Sequence, residues 1–198
     1  MKKSLGNKTF VFPTPTWLIG TYDAAGKPNI MAAAWGGVCC SSPASVGVSL
    51  RKATYSYGAI IARKAFTVSI PSKKYVREAD FAGIASGRDV NKFDISGLTP
   101  VKGEFVDAPY VGEFPLVLEC RLSHTIEIGL HTQFIGEILD VKAEESILGE
   151  NEKPDAALVK TFSYDPGSRK YYATGRAIAE AFIIGKELVP EALLKDKP

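Results

Sequence analysis

The chain has 198 residues, 45% of them hydrophobic and 23% charged, with mean hydropathy near zero, a composition that buries a sizeable core without resembling that of a membrane protein. Its 24 basic and 22 acidic residues leave a net charge of +2, far below the excess that phosphate neutralisation along a nucleic acid calls for. Nucleic-acid and membrane partners are therefore not expected, and one domain over residues 1–198 is the simplest organisation.

The opening "MKKSLGNKTFVF" carries two lysines, but Gly6, Asn7 and Lys8 interrupt any apolar stretch behind them. It does not read as a secretory signal, and no apolar run reaches the roughly 18 residues of a membrane span. A soluble cytoplasmic protein is the expectation. "TWLIGTYD" and "PNIMAAAW" then flank "AAGK", which reads as a hairpin with Gly26 in its turn. Ala32, Ala33 and Ala34, ahead of Trp35 and two glycines, contribute little to strand packing. They leave room for a flat heteroaromatic ring to approach the backbone and take hydrogen bonds from its amides. A strand packed closely on another element explains the same run.

Cys39 and Cys40 follow, in a chain with three cysteines and no metal-ligand spacing. Neither a disulfide framework nor a zinc site is supported, and the thiols read as small buried hydrophobes of a reducing cytosol. Adjacent thiols beside a redox cofactor are the alternative.

In "SVGVSL" the residues Val46, Val48 and Leu50 share one face, and Ser45, Gly47 and Ser49 the other, which is the period of a half-buried strand. Arg51 and Lys52 then separate this strand from a helix predicted over Thr54–Lys64, where Tyr57, Ile60, Ile61 and Lys64 keep helical spacing. The start of a helix exposes unpaired N–H groups and the positive end of its dipole. Two cations and the hydroxyls of Thr54 and Ser56 at such a joint point to a phosphate, because arginine grips two oxygens at once and lysine adds a mobile charge. Solvated cations beside an ordinary Thr54 N-cap are the competing explanation.

Further along, "FTVSI", "PLVLECRL" and "QFIGEILDV" read as strands, with "KYYATG" as a short late one. In "PLVLECRL" the alternation sets Leu116, Leu118, Cys120 and Leu122 against Val117, Glu119 and Arg121. Helices are predicted over Tyr75–Ser86 and, more weakly, in "KPDAALVK". Strands outnumber helices and neighbours lie at hairpin spacing, so the fold class is mainly β, an antiparallel barrel with peripheral helices.

The sequence holds no GxGxxG, Walker-type GxxxxGK[ST], GxSxG or HExxH, and only two histidines, His124 and His131. A catalytic triad or a multi-histidine metal site is improbable, no metal is expected, and redox chemistry would have to come from a cofactor.

Four segments taken together, "NIMAAAWGGVCCSSPASVGVSLRKATYSYGAI", "GRDVNKFD", "IGLHTQFIGEILDV" and "YDPGSRKYYATGRAIAEAF", resemble the flavin reductase-like, FMN-binding split-barrel family, and within it the flavoredoxin-like branch. The resemblance implies a homodimer of antiparallel split β-barrels that binds flavin mononucleotide (FMN) non-covalently in a groove near the subunit interface. It places Met31, Ala32, Ala33, Ala34 and Trp35 along the isoalloxazine ring, and Arg51, Lys52 and Thr54 at the ribityl chain and phosphate, helped by Ser56 or Tyr57. Lys92 and Phe93 match a family stretch that returns toward the flavin, and His131 a family histidine near the cofactor or the interface. Relatives often carry hydroxyl residues at Ala33 and Ala34, so ring contacts here are expected mainly from backbone. His124 matches no family position and is expected on a strand surface.

The leading expectation is an oxidoreductase that passes electrons through FMN from NAD(P)H or a protein donor; the alternative is a non-enzymatic FMN-containing electron carrier. No catalytic side chain is singled out. A haem in the same barrel would have His131 as its one axial candidate.

Overall fold

The computed structural model describes residues 1–190, so 191–198, the end of the expected single domain, lie outside the described residues. The elements in chain order are β1 (Thr14–Pro15), β2 (Trp17–Tyr22), β3 (Pro28–Ala33), β4 (Gly36–Ser41), β5 (Ala44–Arg51), α1 (Tyr55–Arg63), β6 (Ala65–Ile70), α2 (Val76–Ile84) and α3 (Lys92–Ser96). They continue with β7 (Pro100–Lys102), β8 (Pro109–Val111), β9 (Leu116–Ile128), β10 (His131–Ala143), α4 (Ala156–Val159), β11 (Phe162–Asp165) and β12 (Lys170–Ala173).

Seven strands form one antiparallel sheet in the order β3-β2-β6-β9-β10-β5-β4. The sheet curls on itself: Ala33 near one edge and Val46, Val48 and Leu50 near the other belong to one core with Phe66, Val68 and Phe134. The expected antiparallel barrel is thus realised in its open form, with no ladder between β3 and β4. Close approach at the seam needs glycine, since a Cβ at Gly36 would lie 2.6 Å from the Trp17 ring and 3.1 Å from the Gly47 carbonyl oxygen.

Local chemistry explains the elements. In the β2–β3 hairpin, Asp23 Oδ1 accepts the N–H groups of Ala25 (2.8 Å) and Lys27 (2.9 Å), and Gly26 takes φ 79°. Helix α1 ends at Lys64, which takes a left-handed φ of 54° and returns its N–H to Ile60. Val46, Val48 and Leu50 of β5 and Phe66 and Val68 of β6 are buried as expected, but β6 is buried on both faces, and in β9 Leu116, Leu118 and Leu122 are only half-buried. Its polar residues meet backbone from β8: Thr67 Oγ1 donates to Pro109 O (2.6 Å) and Ser69 Oγ accepts from Val111 N (3.2 Å).

Two expectations change here. Cys39 and Cys40 are exposed rather than buried, because they lie on β4, an edge strand whose side chains are not covered by this chain. Glu119, read on the polar side of a half-exposed strand, is fully buried together with Val117. Its Oε2 accepts the N–H groups of Phe105 (2.7 Å) and Val106 (3.2 Å), and the Lys142 ammonium lies 3.3 Å from Oε1. Asp140 and Glu104, with Glu119, hold the Lys142 ammonium above the usual lysine range. The carboxylate therefore ties the segment before β8 to the middle of the sheet. Replacing Glu119 by Gln removes the charge that both contacts use and should lower unfolding free energy by about 2–4 kcal/mol; urea denaturation of the two proteins measures it, and a change below roughly 0.5 kcal/mol would contradict this role.

Candidate functional site

The first turn of α1 is fixed to the β2–β3 hairpin by two side-chain hydrogen bonds. Tyr55 Oη donates to Asp23 Oδ2 (2.7 Å), and Asn29 Nδ2 donates to Ser56 Oγ (3.0 Å). The Tyr55 hydrogen bond, with N–H donors from Lys27 and Ala25, holds the Asp23 carboxyl below its ordinary range. Thr54 occupies the N-cap position, but its hydroxyl donates to Arg51 O (2.6 Å) and makes no capping bond. The competing reading of Thr54 as an ordinary side-chain cap is thereby removed. Residues 53–56, at the start of this nine-residue helix, line a cavity, and the Tyr55 and Ser56 N–H groups of its first turn have no backbone acceptor there.

That cavity, about 280 Å³, lies between Met31 and Ala32 of β3, Thr54 to Ser56 of α1, and the loop that leaves α2 through Gly87 and Arg88. A Cβ at Gly87 would fall 2.2 Å from Asn29 Oδ1 and 2.6 Å from the Tyr55 ring, so any side chain there would break the wall. Arg88 donates to Ala53 O (2.9 Å) and lies over the Tyr55 ring at 5.8 Å. Lys92 also lines the cavity; it is 4% exposed and donates to Ala82 O (2.7 Å), and burial lowers its ammonium to about 8.

A second cavity of about 340 Å³ adjoins the first, sharing Ala32, Gly83 and Ile84 with it. One wall is Ala32, Ala33 and Ala34; the opposite wall is the β11–β12 hairpin with Tyr164, Arg169 and Tyr171. Tyr171 Oη donates to Asp80 Oδ1 (2.8 Å), and burial, then Asp80, raises its phenol above the usual range. Thr16, 4% exposed, lies beside this wall with a hydroxyl that has no hydrogen-bond partner.

Met31, Ala32, Ala33, Ala34, Thr54, Ser56 and Lys92 are thus brought onto the walls of two joined cavities. The others lie elsewhere. Lys52 pairs with Glu127 at 2.6 Å, which raises its ammonium, and Arg51 is exposed on the strand position opposite His131. Tyr57 packs edge-on against Phe134 with ring centroids 5.2 Å apart, and Phe93 is a 2%-exposed core residue. Trp35 and His131 line neither cavity. Besides Lys92, the cation on the wall of the first cavity is Arg88, which carries no signal of this role in "GRDVNKFD". Asn29, Tyr164, Arg169 and Tyr171 were also missed, having no spacing signal within their own segments.

The paired cavities suit FMN in size, in polarity and in order: N–H groups and two cations around one, small residues facing aromatics in the other. An orphaned hydroxyl and a cavity whose opening depends on Gly87 fit the same occupant. Without an anion, the buried Lys92 ammonium destabilises the fold at neutral pH. Since its folded value lies below its unfolded one, the unfolded chain holds more protons between about pH 8 and pH 10.4. Stability from this residue should accordingly rise by up to about 3 kcal/mol across that window. Urea denaturation at pH 8 and pH 10 tests this, and Lys92→Met should flatten the rise; equal slopes for both proteins would refute it.

The family model described as flavin reductase like domain matches residues 9–166. The chain is similar to flavoredoxin of Desulfovibrio vulgaris (Miyazaki F), with 59% identity, coverage of 94% of this chain and 100% of that one, and a TM-score of 0.90. Flavoredoxin from Methanosarcina acetivorans is 30% identical, with 95% and 99% coverage and a TM-score of 0.89. An uncharacterized protein of Archaeoglobus fulgidus is 33% identical over 146 residues, 74% of this chain and 80% of that one. With the family model matched from before β1 to β11, and a mostly β, split-barrel architecture shared with these structures, the chain belongs to the flavin reductase-like family.

Proposed function

We propose that this protein is a flavoprotein that binds FMN non-covalently in the joined cavities and transfers electrons through it. The observation that carries the reading is the pairing of an anion-suited cavity at the start of α1 with an adjoining slot between alanines and tyrosines. Bound FMN would supply the redox chemistry, which this chain's own side chains do not offer.

The chain's residues have separable tasks. The first N–H groups of α1, the Ser56 hydroxyl and the Arg88 guanidinium receive the phosphate, while the Thr54 hydroxyl holds the turn before the helix through Arg51 O. Lys92 holds an ammonium at the inner wall of the same cavity, where a negative group offsets the penalty of its burial. Ala32 to Ala34 leave the backbone open to the ring, and Tyr164 and Tyr171 cover the opposite side. Arg51 and Lys52 stand outside these walls as a flanking positive patch, with Lys52 engaged by Glu127. The electron donor in this proposal is NAD(P)H or a redox protein, and the working form a cytoplasmic homodimer. Among the described residues no helix is long and apolar enough to cross a membrane.

A second reading, a carrier that exchanges electrons with redox proteins and does not turn over NAD(P)H, is favoured by the 59% identity to a flavoredoxin. An absorption spectrum with added FMN, followed by NADH or NADPH, separates the readings. Bleaching with turnover supports the reductase, bound yellow flavin without turnover supports the carrier, and a colourless protein that ignores FMN defeats both. Arg88→Ala should weaken FMN binding by about 1.5–3 kcal/mol, the value of a hydrogen bond to a charged group, and leave riboflavin affinity nearly unchanged. Equal losses for the two ligands would place the phosphate elsewhere.

A further inference from the structure

The β11–β12 hairpin lies along α2. Just before the helix Lys73 N donates to Lys160 O (2.8 Å), midway Tyr171 Oη donates to Asp80 Oδ1 (2.8 Å), and at the far end Arg169 shares the wall of the second cavity with Gly83 and Ile84. Gly83, Ile84 and Arg169 are exposed as well as lining it, and so mark the mouth of the slot.

This seam is basic. Residues 73–84 and 160–173 hold six cations, Lys73, Lys74, Arg77, Lys160, Arg169 and Lys170, against Glu78, Asp80 and Asp165, a net charge of +3 where the whole chain carries +2. Each acid is engaged: Glu78 by Arg77, Asp80 by Tyr171, and Asp165 by Gly167 N and Ser168 Oγ. All six cations are exposed, and all but Arg77 are without an ion pair among the described residues. Ile84, at the mouth of the slot, is 78% exposed and lines both cavities.

Helical rise from Lys73 to Ile84 covers about 16 Å, the scale of a protein face rather than of one small anion. Lysines spread over separate elements do not converge on a single group as a cradle does. Dispersed charge around an exposed apolar contact is the anatomy of a transient protein encounter steered by its field.

We propose that the seam between α2 and the β11–β12 hairpin is the docking surface for an electron-carrier protein with an acidic face, which donates to the flavin at the mouth of the slot. The proposal rests on the FMN reading above and narrows its electron donor to an acidic protein. Each one-electron carrier is oxidised once, so two carriers, with two protons from water, convert bound FMN to its dihydro form.

The test is biosensor kinetics of two acidic carriers, a two-cluster bacterial ferredoxin and a flavodoxin, on the full chain with and without added FMN, at roughly 0.1 M and 1 M ionic strength. At least one carrier should bind the wild type at the lower ionic strength. Lys73→Glu combined with Lys170→Glu, one on each side of the seam, should slow its association roughly fivefold or more. Lys27→Glu combined with Lys102→Glu changes net charge equally from outside the seam and should stay within about twofold of wild type. At the higher ionic strength all three proteins should agree within about twofold. No association of either carrier with wild type, or equal slowing by both pairs of substitutions, would overturn the proposal. So would a short DNA duplex as the one anion whose binding depends on the seam, which would assign the surface to nucleic acid. FMN uptake without seam-dependent association defeats the docking proposal alone, whereas seam-dependent association with a chain that takes up no FMN defeats the function reading.

Discussion

The hydrogen bond from the Tyr55 phenol to Asp23 governs where the first turn of α1 lies. Asp23 is already fixed by the hairpin N–H groups it accepts, so the phenol couples helix position to a tight turn that has little freedom of its own. Asn29 to Ser56 supplies the second point of attachment, one residue further along the helix. Two points fix the orientation of the helix start, whose first residues line the cavity beside β3. A helix start free to tilt by a few degrees would spread the same dipole over solvent, where it is screened.

Much of the rest of the cleft is defined by what is missing. Alanines on β3 and glycines at 83 and 87 withhold side chains from a region that could otherwise have closed into core. The protein forgoes apolar burial there and retains an unpartnered Thr16 hydroxyl and a desolvated Lys92 ammonium. Away from the cleft the fully buried Glu119 carboxylate is met by two N–H groups at Oε2 and by the Lys142 ammonium 3.3 Å from Oε1, while the Thr21 hydroxyl and Asn91 Oδ1 are also buried without a partner.

The architecture was largely legible in the sequence because it depends on period. Val46, Val48 and Leu50, the Gly26 hairpin and the helical spacing from Tyr57 to Ile61 each carry a local signal, and each element formed within a residue or two of the expected place. Burial on a second face was not legible: Thr67, Ser69 and Glu119 read as solvent-facing until the β8 segment and its approach cover them. The same limit applies to the site. Alanines and hydroxyls adjacent in sequence line the cavities together, whereas Arg88, Tyr164 and Arg169 reach them from separate loops and a hairpin, through contacts that no spacing encodes. The Arg51-Lys52 pair was the obvious cationic signal, and Lys52, in the turn that follows β5, is paired with Glu127.

Arg88 is tethered before any anion arrives, by the Ala53 carbonyl on one side and the Tyr55 ring beneath it. Part of the rotamer freedom that a loose arginine would surrender on binding is already given up. Such preorganisation does little for the rate of encounter, which follows diffusion and the long-range field, and acts on departure. A bound anion in this cavity is accordingly distinguished by its residence time.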